Sequence, residues 1–253
     1  MRLFLHELRV EQRLFWRNRE AAFFTFFLPM IFFLIFASVY GNDRIKREHN
    51  VRGAAFLEAG MIGYGVAATC FAGLAITLVV RRESGVLKRI RSTPLPAAAY
   101  LLAVLASTFI VFLIQAALII ATGRLFFSVP VPHQVVSLVV VLALGAGCFA
   151  AMGLGITTLV RSSEGSSAVI NAVYLPMAII SGTFFTPKGY PEFLTVISLA
   201  LPLTHYTQLT RDVMLRGHQF WSDPGAIGVL ALWAGIGLFA AIRGFRWQPV
   251  EAH

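Results

Sequence analysis

The stretch VVSLVVVLALGAGCFAAMGLGITTLV, Val135–Val160, contains no charged side chain in 26 residues. An α-helix needs about 20 apolar residues to cross the roughly 30 Å hydrocarbon core of a bilayer, so this stretch is long enough to span a membrane. The 253-residue chain around it is 57% hydrophobic and only 13% charged. Because a soluble domain has about a quarter of its residues charged, the composition excludes a soluble protein and predicts an all-α integral membrane protein.

Further uncharged runs lie on both sides of this stretch. Together they predict six transmembrane helices, at residues 21–42, 59–80, 97–123, 135–160, 165–187 and 224–242. Residues 193–210 are also uncharged, but Pro202 and His205 interrupt them. A run this short and broken favours a re-entrant or external hairpin, placed at 188–212, over a seventh crossing.

The distribution of basic residues predicts the orientation, because Lys and Arg concentrate in cytoplasmic loops. With six spans, 13 basic residues fall on the side of the N terminus and 8 on the opposite side. Both termini are therefore predicted to be cytoplasmic, although the cluster between Arg44 and Arg52 makes the first external loop unusually basic. The net charge of +9 then reflects topology and does not indicate a nucleic-acid partner. Short loops and the lack of a recognisable cleavable signal peptide favour a bacterial plasma membrane.

Residues 1–20 form an amphipathic pattern that predicts an interfacial helix. One face of this helix carries Arg2, His6, Arg9, Arg13 and Arg17, and the opposite face is apolar. Such a helix lies in the headgroup layer and contacts anionic membrane lipid. Glu7 and Glu11 fall within the apolar face, where an unpaired carboxylate is costly. We expect both to pair with basic residues of another cytoplasmic element.

The segment between the second and third spans, RESGVLKRIRSTP at 82–94, has the pattern of a short helix. Its apolar face is formed by Val86, Leu87 and Ile90, its basic residues are Lys88, Arg89 and Arg91, and Pro94 ends it. A loop that only sets topology needs charge alone. The added apolar face favours docking into a groove on a partner protein.

Other classes of membrane protein find little support. The chain has no G-x-x-x-x-G-K-[ST] phosphate-binding loop, so it cannot hydrolyse ATP by that route, and it is not predicted to be an enzyme. The six predicted spans contain no Asp or Glu, which disfavours both an intramembrane hydrolase and an ion-coupled carrier or channel. No metal or other cofactor is expected in this chain. The energy for any transport must then come from outside it.

Two parts of the sequence resemble the ABC-2-type transporter permeases, among them the daunorubicin and other drug-resistance permeases. The run from Glu83 to Leu95 is similar to the cytoplasmic segment after the family's second span. The second part is similar to the end of the fifth span and the hairpin after it, and it comprises Leu175-Pro176, Ser181–Pro187, Tyr190-Pro191, Leu201–Tyr206 and Arg211-Asp212. The resemblance covers essentially the whole chain.

This resemblance implies a division of labour among subunits. Two copies of a cytoplasmic ABC ATPase would bind ATP and Mg²⁺, and a second permease, identical or a sister chain, would complete the pathway. The coupling helix within 82–94 would occupy a groove on the ATPase, with the interfacial helix of Glu7 and Glu11 beside it. The residues implied at this contact are Glu83, Gly85, Val86, Leu87, Lys88, Arg89, Ile90, Arg91 and Pro94.

Roles in the external hairpin and at the helix contacts are also expected. The hairpin residues are Pro187, Pro191, Pro202, His205 and Tyr206. His205 and Tyr206 are expected to satisfy backbone groups that Pro202 frees. Small residues that allow close helix approach are Gly60, Gly63, Gly65, Gly145, Gly147, Gly153 and Gly155. Packing within one chain is favoured over a dimer contact for these glycines.

The predicted function is the permease subunit of an ATP-driven exporter. The nearly charge-free spans favour a lipophilic or amphiphilic substrate, such as a drug, an antibiotic or a lipid. The alternatives are an ion-coupled carrier or channel, and an ABC permease that exports polysaccharide or glycolipid. The residues alone leave open the substrate, the direction of transport and the choice between a homodimer and a heterodimer of permeases.

Overall fold

The computed structural model describes residues 2–45, 50–160 and 162–248, without the side chains of Arg2 and Lys188. Lys46 and Arg47 of the predicted basic loop, and Arg161, lie outside the described residues. The helices are α1 (Arg2–Arg17), α2 (Arg19–Tyr40), α3 (Gly53–Val66), α4 (Leu74–Glu83), α5 (Val86–Arg91), α6 (Ala97–Phe127), α7 (Val135–Ile156), α8 (Ser163–Ile180), α9 (Glu192–Ala200), α10 (Pro202–Arg216) and α11 (Pro224–Gly244). Two short strands, β1 (Arg44–Ile45) and β2 (Val51–Arg52), pair antiparallel.

Five helical segments within the described part of the chain are long and apolar enough to cross a membrane. They are Arg19–Tyr40, Gly53–Glu83, Ala97–Phe127, Val135–Ile156 and Pro224–Gly244. Each overlaps one predicted span. The all-α membrane fold is therefore confirmed.

The remaining predicted span, 165–187, corresponds to the shorter and more polar helix α8. It contains Glu164 in its first turn and Pro176 in its interior, and it ends at Ile180. The chain leaves the helix at Ser181 and Gly182, where Gly182 has a φ of +77°. The predicted end at Pro187 is therefore wrong by seven residues, because a left-handed backbone conformation stops the helix.

The segment Gly53–Glu83 is the central element of the bundle. It joins α3 and α4 through a π-helical stretch, Ala67–Gly73. Buried residues make up 72% of its most apolar part, compared with 22% for Arg19–Tyr40 and for Pro224–Gly244. The helix starts six residues before the predicted boundary at Ala59, because the β1–β2 hairpin returns the chain and the Gly53 N–H donates to Asp43 O at 2.8 Å. This start brings Glu58 into the span.

The buried apolar side chains form two clusters. The larger one surrounds α3 and includes Phe33, Phe112, Phe149 and Tyr206. The smaller one lies at the end of the bundle that carries α5, and it joins Leu74, Leu78, Leu87, Tyr100 and Leu154. We call this end, where α1, α4, α5 and the start of α6 meet, the coupling end. The opposite end, with α9, α10 and the β hairpin, is the hairpin end.

Candidate functional site

Leu87 anchors helix α5 to the coupling end of the bundle. Gly85, at φ +72°, turns the chain from α4 into α5, a backbone conformation that a side chain disfavours. Leu87 is fully buried in the smaller core cluster. The expectation that Leu87 fills an ATPase groove is therefore wrong, because a six-residue helix has little stability of its own and this leucine anchors it.

The rest of α5 faces outward. Lys88, Arg89 and Arg91 are exposed, Val86 is 38% exposed and Ile90 is half-buried. Two hydroxyl groups close the end of the helix: Ser92 Oγ donates to Arg89 O at 2.7 Å, and Thr93 Oγ1 donates to Ile90 O at 2.6 Å. The arrangement presents three basic side chains on a short and firmly held helix.

Glu11, the most buried described side chain of α1, forms an ion pair with Arg81 at the end of α4. Arg81 Nη1 and Nη2 donate to the two Glu11 oxygens at 2.7 and 2.8 Å. Arg81 Nη1 also donates to Tyr100 Oη at 2.8 Å. Gln12 Nε2 adds bonds to the carbonyl and hydroxyl oxygens of Ser107 at 3.0 and 2.9 Å. These contacts hold α1 against the membrane helices.

Glu7 does not share that ion pair. Burial raises the pKa of Glu7 and the nearby Glu11 raises it further, while His6 and Arg81 act in the opposite direction. Glu7 lines a groove of about 350 Å³ between α1 and the α5–α6 connection, together with Leu3, His6, Ile90, Thr93, Pro94 and Leu95. The groove is largely apolar and contains one carboxyl group.

Arg82 joins α4 to the end of α7. It is 3% exposed, and it donates from Nη1 to Thr157 O at 2.9 Å and from Nη2 to Val160 O at 2.6 Å. The carbonyls after a helix C-terminus lack partners within the helix and concentrate negative potential there. The guanidinium therefore serves as a cap for α7. Glu83 is half-buried and accepts from Arg82 Nε at 3.2 Å.

The predicted hairpin is a pair of helices, α9 and α10, joined at Leu201. Pro202 is the first residue of α10, so it starts a helix rather than interrupting one, because proline lacks the N–H that a first helical turn leaves unpaired. His205 Nε2 lies 2.8 Å from Leu199 O, near the end of α9. The Tyr206 hydroxyl has no partner among the described residues, so its expected role with freed backbone groups is wrong; its ring packs against Gly145 and Phe149.

Two other prolines and a tyrosine shape the chain before α9. Pro187 begins a 3₁₀ turn, Pro187–Gly189, and Pro191 directly precedes α9. Tyr190 Oη donates to Ile179 O at 3.2 Å. At the same end, the Arg211 guanidinium stacks 3.5 Å from the centroid of the Phe56 ring and donates to Gly182 O at 2.5 Å.

Most of the predicted small contact residues are used within the chain. An added side-chain carbon would meet Thr183 and Arg211 at Gly60, and it would meet residues of α10 at Gly63 and Gly145. It would meet Gln115 at Gly65, the backbone of the π-helical stretch at Gly153 and α11 at Gly155. Of this set, only Gly147 has open space around it. These contacts favour packing within one chain over a dimer contact.

The sequence reasoning missed four polar side chains that organise the bundle. Glu58, Arg82 and Arg211 are buried, and Arg81 is half-buried. Two adjacent arginines, Arg81 and Arg82, follow an apolar span, and Glu7 and Glu11 lie on the apolar face of another helix. These two features together could have predicted an ion pair between the two segments. Within the described part of the chain, no cluster of three His, Cys, Asp or Glu side chains could hold a metal ion.

Comparison with known proteins agrees with this architecture. The family model of ABC-2 type transporters matches residues 2–215. The Bacillus subtilis transport permease YvfS is 22% identical over 237 residues, which are 93% of this chain and 93% of that protein. The inner membrane transport permease YhhJ of Escherichia coli is 23% identical over 144 residues, which are 56% of this chain and 38% of YhhJ. The chain belongs to the ABC-2 type transporter family, as a transport permease.

Proposed function

We propose that this chain is the permease subunit of an ATP-driven exporter, and that a cytoplasmic ABC ATPase docks on the coupling end. The observation that carries the proposal is the exposed basic face of α5 beside the groove of Glu7. Leu87 and the Gly85 turn hold α5 on the membrane helices. A push on α5 from a partner would therefore reach α4 and α6 directly.

The chemistry of this face defines the docking partner. Lys88, Arg89 and Arg91 suit acidic groups at the rim of an ATPase groove, while Val86 and Ile90 supply apolar contact. Glu7 suits a basic side chain of the same partner, since opposite charges steer and orient association. Two ATPase copies, which bind ATP and Mg²⁺, would serve two permeases, either two copies of this chain or this chain and a sister permease.

The orientation and cargo follow from the distribution of charge. We place the coupling end and both termini in the cytoplasm of a bacterial cell, because the larger group of basic residues lies there. The largely apolar spans support a lipophilic or amphiphilic cargo that moves outward. ATP-dependent accumulation of a lipophilic dye in inside-out vesicles containing the complex tests this. Uptake of small hydrophilic solutes alone, or uptake driven by an ion gradient without ATP, would contradict it.

The docking surface is tested by charge reversal. The double variant Lys88→Glu/Arg89→Glu should lower co-purification of the ATPase at least about tenfold, equivalent to about 1.4 kcal/mol of binding free energy. Arg124→Glu is the control, because Arg124 is also exposed but lies near the other end of α6. Equal loss in both variants, or no loss in the double variant, would contradict docking at α5. Leu87 is unsuitable for this test because its replacement disturbs the core.

A further inference from the structure

Glu58 is a carboxyl group buried inside a membrane-spanning helix. Its side chain is 1% exposed, and it lies in the segment Gly53–Glu83. Neither carboxyl oxygen has a hydrogen-bond partner among the residues that the structure describes. Ionisable groups within a bilayer are costly, and those that persist mark sites of binding or transport.

The opposing helix leaves room for this carboxyl group. Gly123 of α6 faces it, and a side-chain carbon at position 123 would collide with Glu58 Oε2. About two turns away in the same α3–α6 contact, the Gln115 side chain of α6 lies against Gly65 of α3, where an added side-chain carbon would collide with it. Gln115 is satisfied, however: its Oε1 accepts from Thr69 at 3.1 Å, and its Nε2 donates to Thr25 O at 2.7 Å. The same helix contact thus holds one satisfied polar side chain and one unsatisfied acid.

Aromatic rings lie near Glu58, together with two arginines. Near this end of α3, Arg211 of α10 is stacked on Phe56, and Arg124 of α6 is exposed; neither donates a hydrogen bond to Glu58. Phe127, one turn beyond Gly123 on α6, packs edge-on against the buried Phe33 with ring centroids 5.5 Å apart. A carboxylate and aromatic rings are the groups that recognise organic cations.

We propose that Glu58 binds the positive group of a lipophilic cation when α3 and α6 separate during transport. This inference rests on the proposed function and narrows its cargo class to amphiphiles with a cationic centre. Pairing with such a ligand removes the cost of an isolated carboxylate in the membrane. Between transport events, the carboxyl group lies in the space beside Gly123, which we call the Gly123 notch.

Equilibrium binding to the full chain in lipid nanodiscs tests the proposal. The probe is tetraphenylphosphonium, and the comparison ion is tetraphenylborate, which has nearly the same size and the opposite charge. We expect the permease to bind the cation in preference to the anion, and Glu58→Gln to weaken cation binding at least about tenfold. Equal binding of both ions, no binding of the cation, or unchanged binding in Glu58→Gln would overturn the proposal.

Two glycines provide a matched pair of variants. Gly123→Ala fills the space that the Glu58 carboxyl occupies in the closed state, so it destabilises that state and should strengthen binding of tetraphenylphosphonium. Gly147→Ala should leave binding unchanged, because nothing lies within 4 Å of a side-chain carbon there. Equal binding in the two variants would contradict a role for the notch.

A chemical probe gives a readout on the unmutated chain. Dicyclohexylcarbodiimide enters membranes and adds to a buried protonated carboxyl group, and the acylurea is located by peptide mass spectrometry. We expect Glu58 to be labelled, and tetraphenylphosphonium to protect it while tetraphenylborate does not. Labelling without protection would overturn cation binding. Failure of the ATPase to co-purify would contradict only the proposed function, since neither probe experiment requires the ATPase.

Discussion

The two ends of the bundle differ in how fully their buried polar groups are hydrogen-bonded. At the coupling end, Glu11 pairs with Arg81, and Arg82 is bonded to two carbonyl oxygens. At the hairpin end, the Glu58 carboxyl and the hydroxyls of Ser181 and Thr183 are buried without a hydrogen-bond partner among the described residues. Satisfied polar networks fix one geometry, whereas unsatisfied groups raise the free energy of the state that contains them. The comparison indicates a rigid coupling end and a hairpin end that gains from rearrangement.

The largest expected effect is on the Glu11–Arg81 pair. Arg81→Ala should lower the free energy of unfolding by about 3–5 kcal/mol, because it leaves Glu11 buried without its partner. Unfolding of the purified permease by SDS in mixed micelles measures this. The double variant Glu11→Leu/Arg81→Met should recover most of the loss. A neutral single variant, or a double variant as unstable as the single one, would contradict a rigid, charge-paired coupling end.

The next effect concerns the cap on α7. Arg82→Met removes two hydrogen bonds to carbonyl oxygens and should cost about 2–3 kcal/mol in the same measurement. Arg89→Met is the matched control on the same segment, because Arg89 is exposed, and it should change stability by less than about 0.5 kcal/mol. If both variants lost the same unfolding free energy, the two hydrogen bonds of Arg82 would contribute no more to stability than the loss of one positive charge.

A third test concerns the packing of the hairpin helices on the bundle. Gly145→Ala should cost about 1–3 kcal/mol, because the added methyl group overlaps the Tyr206 ring. Gly147→Ala, two residues along α7, should stabilise the helix by about 0.5–1 kcal/mol, because it meets open space. If Gly145→Ala were tolerated as well as its neighbour, α10 would be able to shift at little cost, and the hairpin end would be even looser than described.

The smallest effect is expected at Glu7, and it depends on pH. Burial raises the pKa of Glu7 above its ordinary value of 4.5, so the folded protein holds this proton more tightly than the unfolded chain does. Stability of the wild type should therefore fall slightly as the pH rises from 4.5 through the raised pKa, and Glu7→Gln should remove that fall.

The same variant separates stability from docking. Thermal unfolding of the permease alone, followed from pH 4 to pH 8, should show Glu7→Gln equal to or more stable than the wild type once the pH exceeds the raised pKa of Glu7. Co-purification of the ATPase should decrease, because the carboxylate is lost from the groove. A variant that unfolds earlier at neutral pH would show that Glu7 already has a stabilising partner in the chain.

Local sequence predicted secondary structure correctly where that structure depends mainly on the residues of a single segment. The apolar length of Val135–Val160 predicted a spanning helix, and α7 occupies most of that stretch. The pattern of residues 82–94 predicted a short helix, which the structure has at Val86–Arg91. The end of the predicted fifth span was wrong because Gly182 stops α8 before the apolar run ends.

Sequence determined the class of the protein and the order of its segments, because transfer of an apolar run into lipid depends on composition and length. The resemblance of two motifs pointed to its family. Tertiary structure decided which side chains act together. Glu11 and Arg81 are 70 positions apart, and Leu87 turns inward because a core lies beneath it. Glu58 lies inside a membrane-spanning helix because the β1–β2 hairpin starts that helix early. These outcomes depend on packing between distant segments, and no local pattern specifies that packing.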